Sequence, residues 1–239
     1  MQRDISIPTN DGHLINGTLD YKKAKKDTLI ILVHGLSDSK DHRLVFNAAK
    51  YFKNKGFHTF RFSLYDEGEK NRSLDECSVG TFIADTNAVL DYFAGEYKKI
   101  FVACHSLGFV TLECDLAEVR GVALWDPALS LKKERVHELE YEPRLDAYFI
   151  DWGVRFIISK QLKIDWENIS DRKLLGKVTK PLCILMAANN DLRIGWQKNL
   201  SILKSPYVYK EIKGASHGFV EEGKEDELFS TTYQWMKKQ

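Results

Sequence analysis

Ser106 stands where a serine could act as a nucleophile. A short apolar run, Ile100-Phe101-Val102-Ala103, leads into Cys104-His105-Ser106-Leu107-Gly108, and a helix-like pattern of Phe109, Val110, Leu112 and Leu116 follows. That reads as a strand, a sharp turn and a helix, with the serine at the apex. A serine hydroxyl is a weak nucleophile. It needs an exposed perch, a base within hydrogen-bond reach and amide donors for a developing oxyanion. The turn can supply the perch and, through the amide of Leu107, one donor. Its flanking positions must be small because backbones crowd a turn this tight. Gly108 meets this need, and Cys104 is small enough to crowd the turn only mildly.

The base should be a histidine. Among the seven (His13, His34, His42, His58, His105, His137 and His217), His217 alone lies just after the last strand-like segment. Its small neighbours, Gly214, Ala215, Ser216 and Gly218, would let a loop carry the imidazole over the sheet edge. His105 adjoins the serine, but at such a turn its side chain is expected to face away. A carboxylate must then hold the base in the right tautomer. Asp191, after the strand-like run Leu182-Cys183-Ile184-Leu185-Met186, is the first choice, and Asp126, closing Leu124-Trp125-Asp126, is the alternative acid. Asp191-Leu192-Arg193 also reads as the start of a helix with Asp191 as its cap. The second oxyanion donor is expected from the amide of Leu36, where Gly35 turns the chain after Val33-His34.

The elements that must position these residues alternate along the chain. Residues 4–8 and 14–21 read as strands joined at Asn10-Asp11-Gly12, a strong turn signal. Leu29-Ile30-Ile31-Leu32-Val33 is a continuous apolar run, as for a strand buried on both faces. Helical spacing over 43–54 ends at Lys55-Gly56, and residues 58–64 return as a strand. A helix over 78–97 follows, with Ser78 as its cap. Strands are expected at 121–125, 181–187 and 207–212, and a closing helix from about Val220 to Met236. Strands alternating with helices imply a mostly parallel sheet. Residues 128–178 break the rhythm: the stretch is rich in aromatic and charged side chains and reads as an insertion capping the carboxyl edge of the sheet. Ser159 and Ser170 are expected to cap short helices within it. The core is then 1–127 with 179–239.

Bulk properties exclude several functions. With 35 basic and 34 acidic side chains the formal net charge is +1, which leaves no electrostatic footprint for nucleic acid. No apolar run reaches the length of a membrane span, and the first residues lack the apolar core of a signal peptide. Cys77, Cys104, Cys114 and Cys183 form no CxxC pair, which reads as reduced thiols in a cytoplasmic protein.

Taken together, the turn at Ser106 resembles the G-x-S-x-G nucleophile elbow of the α/β-hydrolase family, with Cys104 in place of the first glycine. The chain order Ser106, Asp191, His217 is the order of that family, and His34-Gly35 after the first buried strand matches it as well. Within the family the chain looks most like the small, capped bacterial carboxylesterases, the cinnamoyl and feruloyl esterases; Ile158-Ser159-Lys160-Gln161-Leu162 is similar to a stretch of their cap. One departure is residues 65–73, where relatives carry a glycine-rich loop with a histidine. The resemblance implies an α/β-hydrolase fold and a carboxylic ester hydrolase working through an acyl-enzyme. It implies a small ester substrate with an apolar or aromatic moiety, and neither a metal nor an organic cofactor. A thioesterase, amidase or acyltransferase would use the same residues, a ligand-binding protein could carry the same fold, and a homodimer is left open.

Overall fold

The computed structural model describes residues 1–22, 27–68, 70–129 and 139–239. An eight-stranded sheet forms its centre. The strands are β1 (Gln2–Pro8), β2 (Leu14–Asp20), β3 (Thr28–Val33), β4 (His58–Phe62), β5 (Lys99–His105), β6 (Val119–Trp125), β10 (Leu182–Ala187) and β11 (Tyr207–Ile212). Their order is β1-β2-β4-β3-β5-β6-β10-β11. The first two strands pair antiparallel, β2 runs antiparallel to β4, and every other pairing is parallel.

Period-two alternation explains why the central strands are apolar throughout. Leu29, Ile31 and Val33 of β3 join one core, and Ile30 and Leu32 join the other. Strand β5 divides likewise, with Ile100, Val102 and Cys104 on one face and Phe101 and Ala103 on the other. Two helices, α1 (Arg43–Asn54) and α6 (Lys224–Met236), cover the second core through Leu44, Phe52, Leu228 and Phe229. On the other side, α2 (Val79–Phe93) buries Phe82, Val89, Leu90 and Phe93. The cap of α2 is Ser78, whose hydroxyl accepts from the Thr81 amide at 2.9 Å. This helix stops four residues short of the expected end, and Gly95 turns the chain at φ 72°. The closing helix starts at Lys224 rather than Val220, because Gly223 adopts φ 74° just before it.

After Ser106 the sequence pattern predicts an α-helix. The chain instead forms 3-10 turns over Ser106–Glu113. Every side chain from Leu107 to Leu112 is buried, so this segment has no solvent face, and Val110 and Thr111 are β-branched. Packing sets its path more than helix propensity does.

Between β6 and β10 the described part of the insertion holds a second, three-stranded antiparallel sheet: β7 (Leu139–Glu142), β8 (Ala147–Asp151) and β9 (Arg155–Ser159). Two short helices follow, α3 (Lys160–Asn168) and α4 (Asp171–Lys177), capped by Ser159 and Ser170. The Ser159 hydroxyl accepts from the Leu162 amide at 2.8 Å and donates to the Cys77 carbonyl, tying the insertion to the segment before α2. Asp165 adds a second tie by accepting from the Val79 amide at 3.1 Å. His137 and the first part of the insertion, residues 130–138, lie outside the described residues.

Candidate active site

Ser106 follows the last residue of β5 and sits at φ 51°, a left-handed conformation that is costly for a residue with a Cβ. Its surroundings leave little choice. A Cβ on Gly35 would come within 2.9 Å of the Ser106 Cβ, so the loop after β3 is pressed against the serine. A Cβ on Gly108 would come within 3.0 Å of the Cys104 Cβ and 3.1 Å of the His34 carbonyl oxygen. A side chain at 108 would therefore crowd the loop after β3, which favours glycine there. Cys104 is tolerated because its side chain turns into the core, where Sγ lies 3.7 Å from the Ala123 carbonyl. Burial pushes its thiol well above the ordinary range, so it stays protonated.

His217 occupies the loop between β11 and α6. Its Nε2 lies 2.9 Å from Ser106 Oγ, and its Nδ1 lies 2.6 Å from Oδ2 of Asp126. The loop is pinned from several sides. Glu221 accepts from the Ser216 amide through both oxygens at 3.1 and 3.0 Å, and Arg43 donates to the Gly218 carbonyl at 2.6 Å. The bonds from Ser216 hold the Glu221 carboxyl below the usual carboxylate range. His105 does face away from Ser106 Oγ: its Nε2 bonds the His217 carbonyl at 2.9 Å, and the two rings lie 4.7 Å apart.

The carboxylate facing the histidine is Asp126, the alternative acid, and not Asp191. Asp126 directly follows β6, is 0% exposed and adopts φ 41°. Its Oδ1 accepts from the Ala187 amide at 2.9 Å, and its Oδ2 accepts from Asn190 Nδ2 at 2.7 Å as well as facing the histidine. Asp191 is exposed, precedes the first turn of α5 (Leu192–Asn199) and makes no side-chain capping bond. The side chain that reaches the histidine from the β10 turn is that of Asn190, one residue earlier. Successive residues entering a helix differ in direction by about 100°, so a step of one residue removes Asp191 from the site.

Both residues expected to offer oxyanion donors, Leu36 and Leu107, line a cavity of about 230 Å³ together with Ser106 and His217. The peptide before Leu36 is oriented by His34. Buried His34 donates from Nδ1 to the Gly35 carbonyl at 2.7 Å and accepts from the Leu64 amide at Nε2 at 2.9 Å. Burial lowers its pKa, and the two bonds together specify the neutral tautomer. Tyr65 adds a 3.3 Å hydroxyl contact to the same carbonyl. Carbonyl and amide of one trans peptide point in opposite directions, so the Leu36 N–H is turned away from His34 and Tyr65. In the departing segment 65–73, Tyr65 thus braces this loop, while buried Arg72 binds Asp85 at 3.3 Å and Asp11 at 2.8 Å.

The cavity has two kinds of wall. Trp152, from the turn between β8 and β9, and Trp166, from α3, form an aromatic side with Ala128 and Leu192. Asp38, His42 and His105 form a polar side, with His42 Nε2 at 3.3 Å and His105 Nδ1 at 3.7 Å from the Asp38 carboxylate. Burial alone would raise the Asp38 pKa, but the two histidines hold it below its ordinary value. The sequence reading missed Asn190, Asp38 and His42 as site residues. The neighbourhood of Asn190 was visible through Asp191, but the register of the turn was not.

Eight strands in this order, a serine at a strained strand-end turn and a histidine after the last strand decide the architecture. It is the α/β-hydrolase fold. Solved structures match it over almost their whole length. Est1E from Butyrivibrio proteoclasticus, described with bound ferulic acid, shares the fold at a TM-score of 0.81 and 17% identity, with 98% of each chain covered. The esterase domain of a Rhodothermus marinus protein matches at 0.78 and 16%, covering 100% of this chain and 98% of that one. DcsB, described in complex with its substrate analogue, matches at 0.82 and 14%, covering 100% and 99%. No protein-family model matches the sequence, and neither does any curated protein.

Proposed function

We propose that this α/β-hydrolase-fold protein is a serine hydrolase that cleaves small carboxylic esters through an acyl-enzyme. The observation that carries the reading is the continuous line from Ser106 Oγ through His217 to Asp126, with steps of 2.9 and 2.6 Å. Asp126 keeps the proton of the imidazole on Nδ1, so that Nε2 takes the hydroxyl proton as Ser106 attacks the carbonyl. The amides of Leu36 and Leu107 stabilise the oxyanion, and each such donor typically contributes ~10²–10³ in rate. His217 then protonates the leaving alcohol. Water, activated by the same imidazole, releases the acyl group.

The insertion acts as a cap, because Trp152 and Trp166 both come from it. These two rings favour an aromatic or apolar acyl group, and the ferulic acid described in the Est1E structure agrees with that choice. A cavity of about 230 Å³ lies below the roughly 300–1,000 Å³ typical of drug-sized ligands. The substrate is accordingly a small ester with at most one ring in the pocket.

A fluorophosphonate label with a p-nitrophenyl butyrate assay tests the reading. The wild type is expected to label and to hydrolyse the ester, and Ser106→Ala to do neither. Undiminished turnover by Ser106→Ala would remove the serine from the mechanism, and an unlabelled, inactive wild type would leave a ligand-binding protein.

A further inference from the structure

His105 closes β5 directly before the nucleophile, and it is buried. The proton path from Ser106 to Asp126 uses neither of its ring nitrogens, yet both face oxygen. Nε2 lies 2.9 Å from the His217 carbonyl, and since a carbonyl only accepts, Nε2 carries the hydrogen. Nδ1 lies 3.7 Å from Asp38 Oδ2, and Oδ1 of the same carboxylate lies 3.3 Å from His42 Nε2. A Cβ on Gly35 would come within 3.2 Å of His105 Nδ1, so the ring is wedged against the loop that carries Leu36. The ring also lies 4.7 Å from that of His217, tilted by 37°. One side chain thus touches the loop of the base and the loop of an oxyanion donor, while its own backbone leads into the serine.

We infer that His105, anchored by Asp38, is a positioning residue that sets His217 against Ser106. The inference rests on the hydrolase reading above and gives His105 two effects. Its bond to the carbonyl fixes the main chain of residue 217. Its ring limits the swing of the imidazole away from Ser106 Oγ, which lies 2.9 Å from Nε2 of His217. The bonds to Ser216 and Gly218 hold the chain on either side of the base. His105 holds residue 217 itself, from the end of β5, so the serine and its base share one support. Asp38 opposes rotation of the His105 ring, because Nδ1 faces a carboxylate held in the charged form by its two histidine neighbours.

Two leaving groups read the position of the base. An ethanol leaving group must take a proton from His217 as it departs, whereas p-nitrophenolate leaves without one. His105→Leu removes the bond to the carbonyl. It is expected to lower kcat/KM for ethyl butyrate about 10²-fold, the effect of a misplacement of about 1 Å. For p-nitrophenyl butyrate the loss is expected to be only about tenfold, so the ratio of the two substrates shifts by about tenfold. His105→Gln returns an N–H near the place of Nε2 and is expected to recover about tenfold for ethyl butyrate over His105→Leu. A merely structural role lowers both substrates together through the active fraction, which fluorophosphonate titration counts, and leaves their ratio unmoved. A His105→Leu variant that is folded by circular dichroism and has an unmoved ratio overturns the inference, as does a His105→Gln no faster than His105→Leu. Should His105→Leu not fold, Asp38→Asn decides. It removes the anchoring charge at nearly constant shape and is expected to shift the same ratio about threefold, since the carbonyl bond remains; an unshifted ratio overturns the inference. Wild type that neither labels at Ser106 nor turns over ester overturns both readings. Wild type that does both, with an unmoved ratio in the variants, overturns this one alone.

Discussion

The exchange of Asp126 for asparagine separates the two candidate acids. Asp126 is fully buried and accepts three bonds: one from the Ala187 amide on Oδ1, and two from Asn190 and His217 on Oδ2. Asparagine has one oxygen where aspartate has two. If that oxygen stays on the Ala187 amide, its NH₂ faces both Asn190 and His217 Nδ1. The imidazole then accepts at Nδ1, carries its proton on Nε2 and can no longer take one from Ser106. If the oxygen turns to the histidine, the NH₂ confronts the Ala187 N–H, and a buried donor loses its partner at about 1–3 kcal/mol. The first orientation costs activity, on the order of 10⁴ in kcat or roughly 5.5 kcal/mol of barrier. The second costs stability, at about 2–4 °C in Tm per kcal/mol for a chain of this size. Backbone strain is unchanged, since asparagine tolerates the φ of 41°. Asp191→Asn touches an exposed side chain and is expected to leave kcat within about twofold and stability within about 0.5 kcal/mol. The assay is kcat for p-nitrophenyl butyrate, with Ser106→Ala as the blank and Tm recorded for each variant. A large loss in Asp191→Asn beside near-native Asp126→Asn would refute the reasoning.

Three further outcomes are expected. His34 is buried in its neutral form with a lowered pKa, so the unfolded chain binds the extra proton first as pH falls. The stability it contributes is complete above about pH 6.5 and declines below it, by at most about 2 kcal/mol at pH 5; the fall in Tm from pH 7 to pH 5 should be smaller in His34→Gln, and an equal fall would contradict the assignment. Trp166→Ala removes part of the aromatic wall and should lower kcat/KM for methyl cinnamate relative to methyl butyrate by about 2–13-fold, the worth of one aromatic contact, whereas an unchanged ratio would place the acyl group elsewhere. Gly35→Ala forces a Cβ to within 2.9 Å of the Ser106 Cβ; the displacement should cost on the order of 10² in kcat, and native turnover would show that the loop yields freely.

Residue type made much of the fold legible. Strands buried on both faces read as continuous apolar runs, and β3, β5 and β10 lie at those runs. Ser78, Ser159 and Ser170 each accept the amide three residues on, as serine caps do. The three-stranded sheet of the insertion was not legible, because its strands carry mixed burial and Glu140 and Tyr141 are exposed. Alternation fades where neither face is wholly covered. Ser106 and His217 could be singled out because each has an informative neighbourhood of small residues. The acid could not be settled, since Asp126 and Asp191 both follow strands, and only the path of the two turns determines which faces the imidazole.

Backbone conformation concentrates around the same place. Outside glycine, positive φ occurs among the described residues at Ser37, Ser106, Asp126, Asp146 and Phe219. Asp146 belongs to the turn between β7 and β8; the other four lie in the loops that converge on the serine. Such residues cost of order 1–3 kcal/mol each and persist only where their surroundings over-determine them. The Ser106 carbonyl accepts from the Ala128 amide at 3.1 Å, the Asp126 amide donates to Leu185 at 2.8 Å, and Phe219 is fully buried with its amide on Ser216 at 2.9 Å. These bonds join the end of β5 to the chain after β6, β6 to β10, and the histidine loop to its own turn. The strain at each residue is therefore offset by neighbouring strands and loops. A substitution that relaxes one of them, such as a glycine at 106 or 219, would be expected to move the others out of line. The alignment of Ser106, His217 and Asp126 is a property of the strand ends taken together, which no single segment of sequence displays.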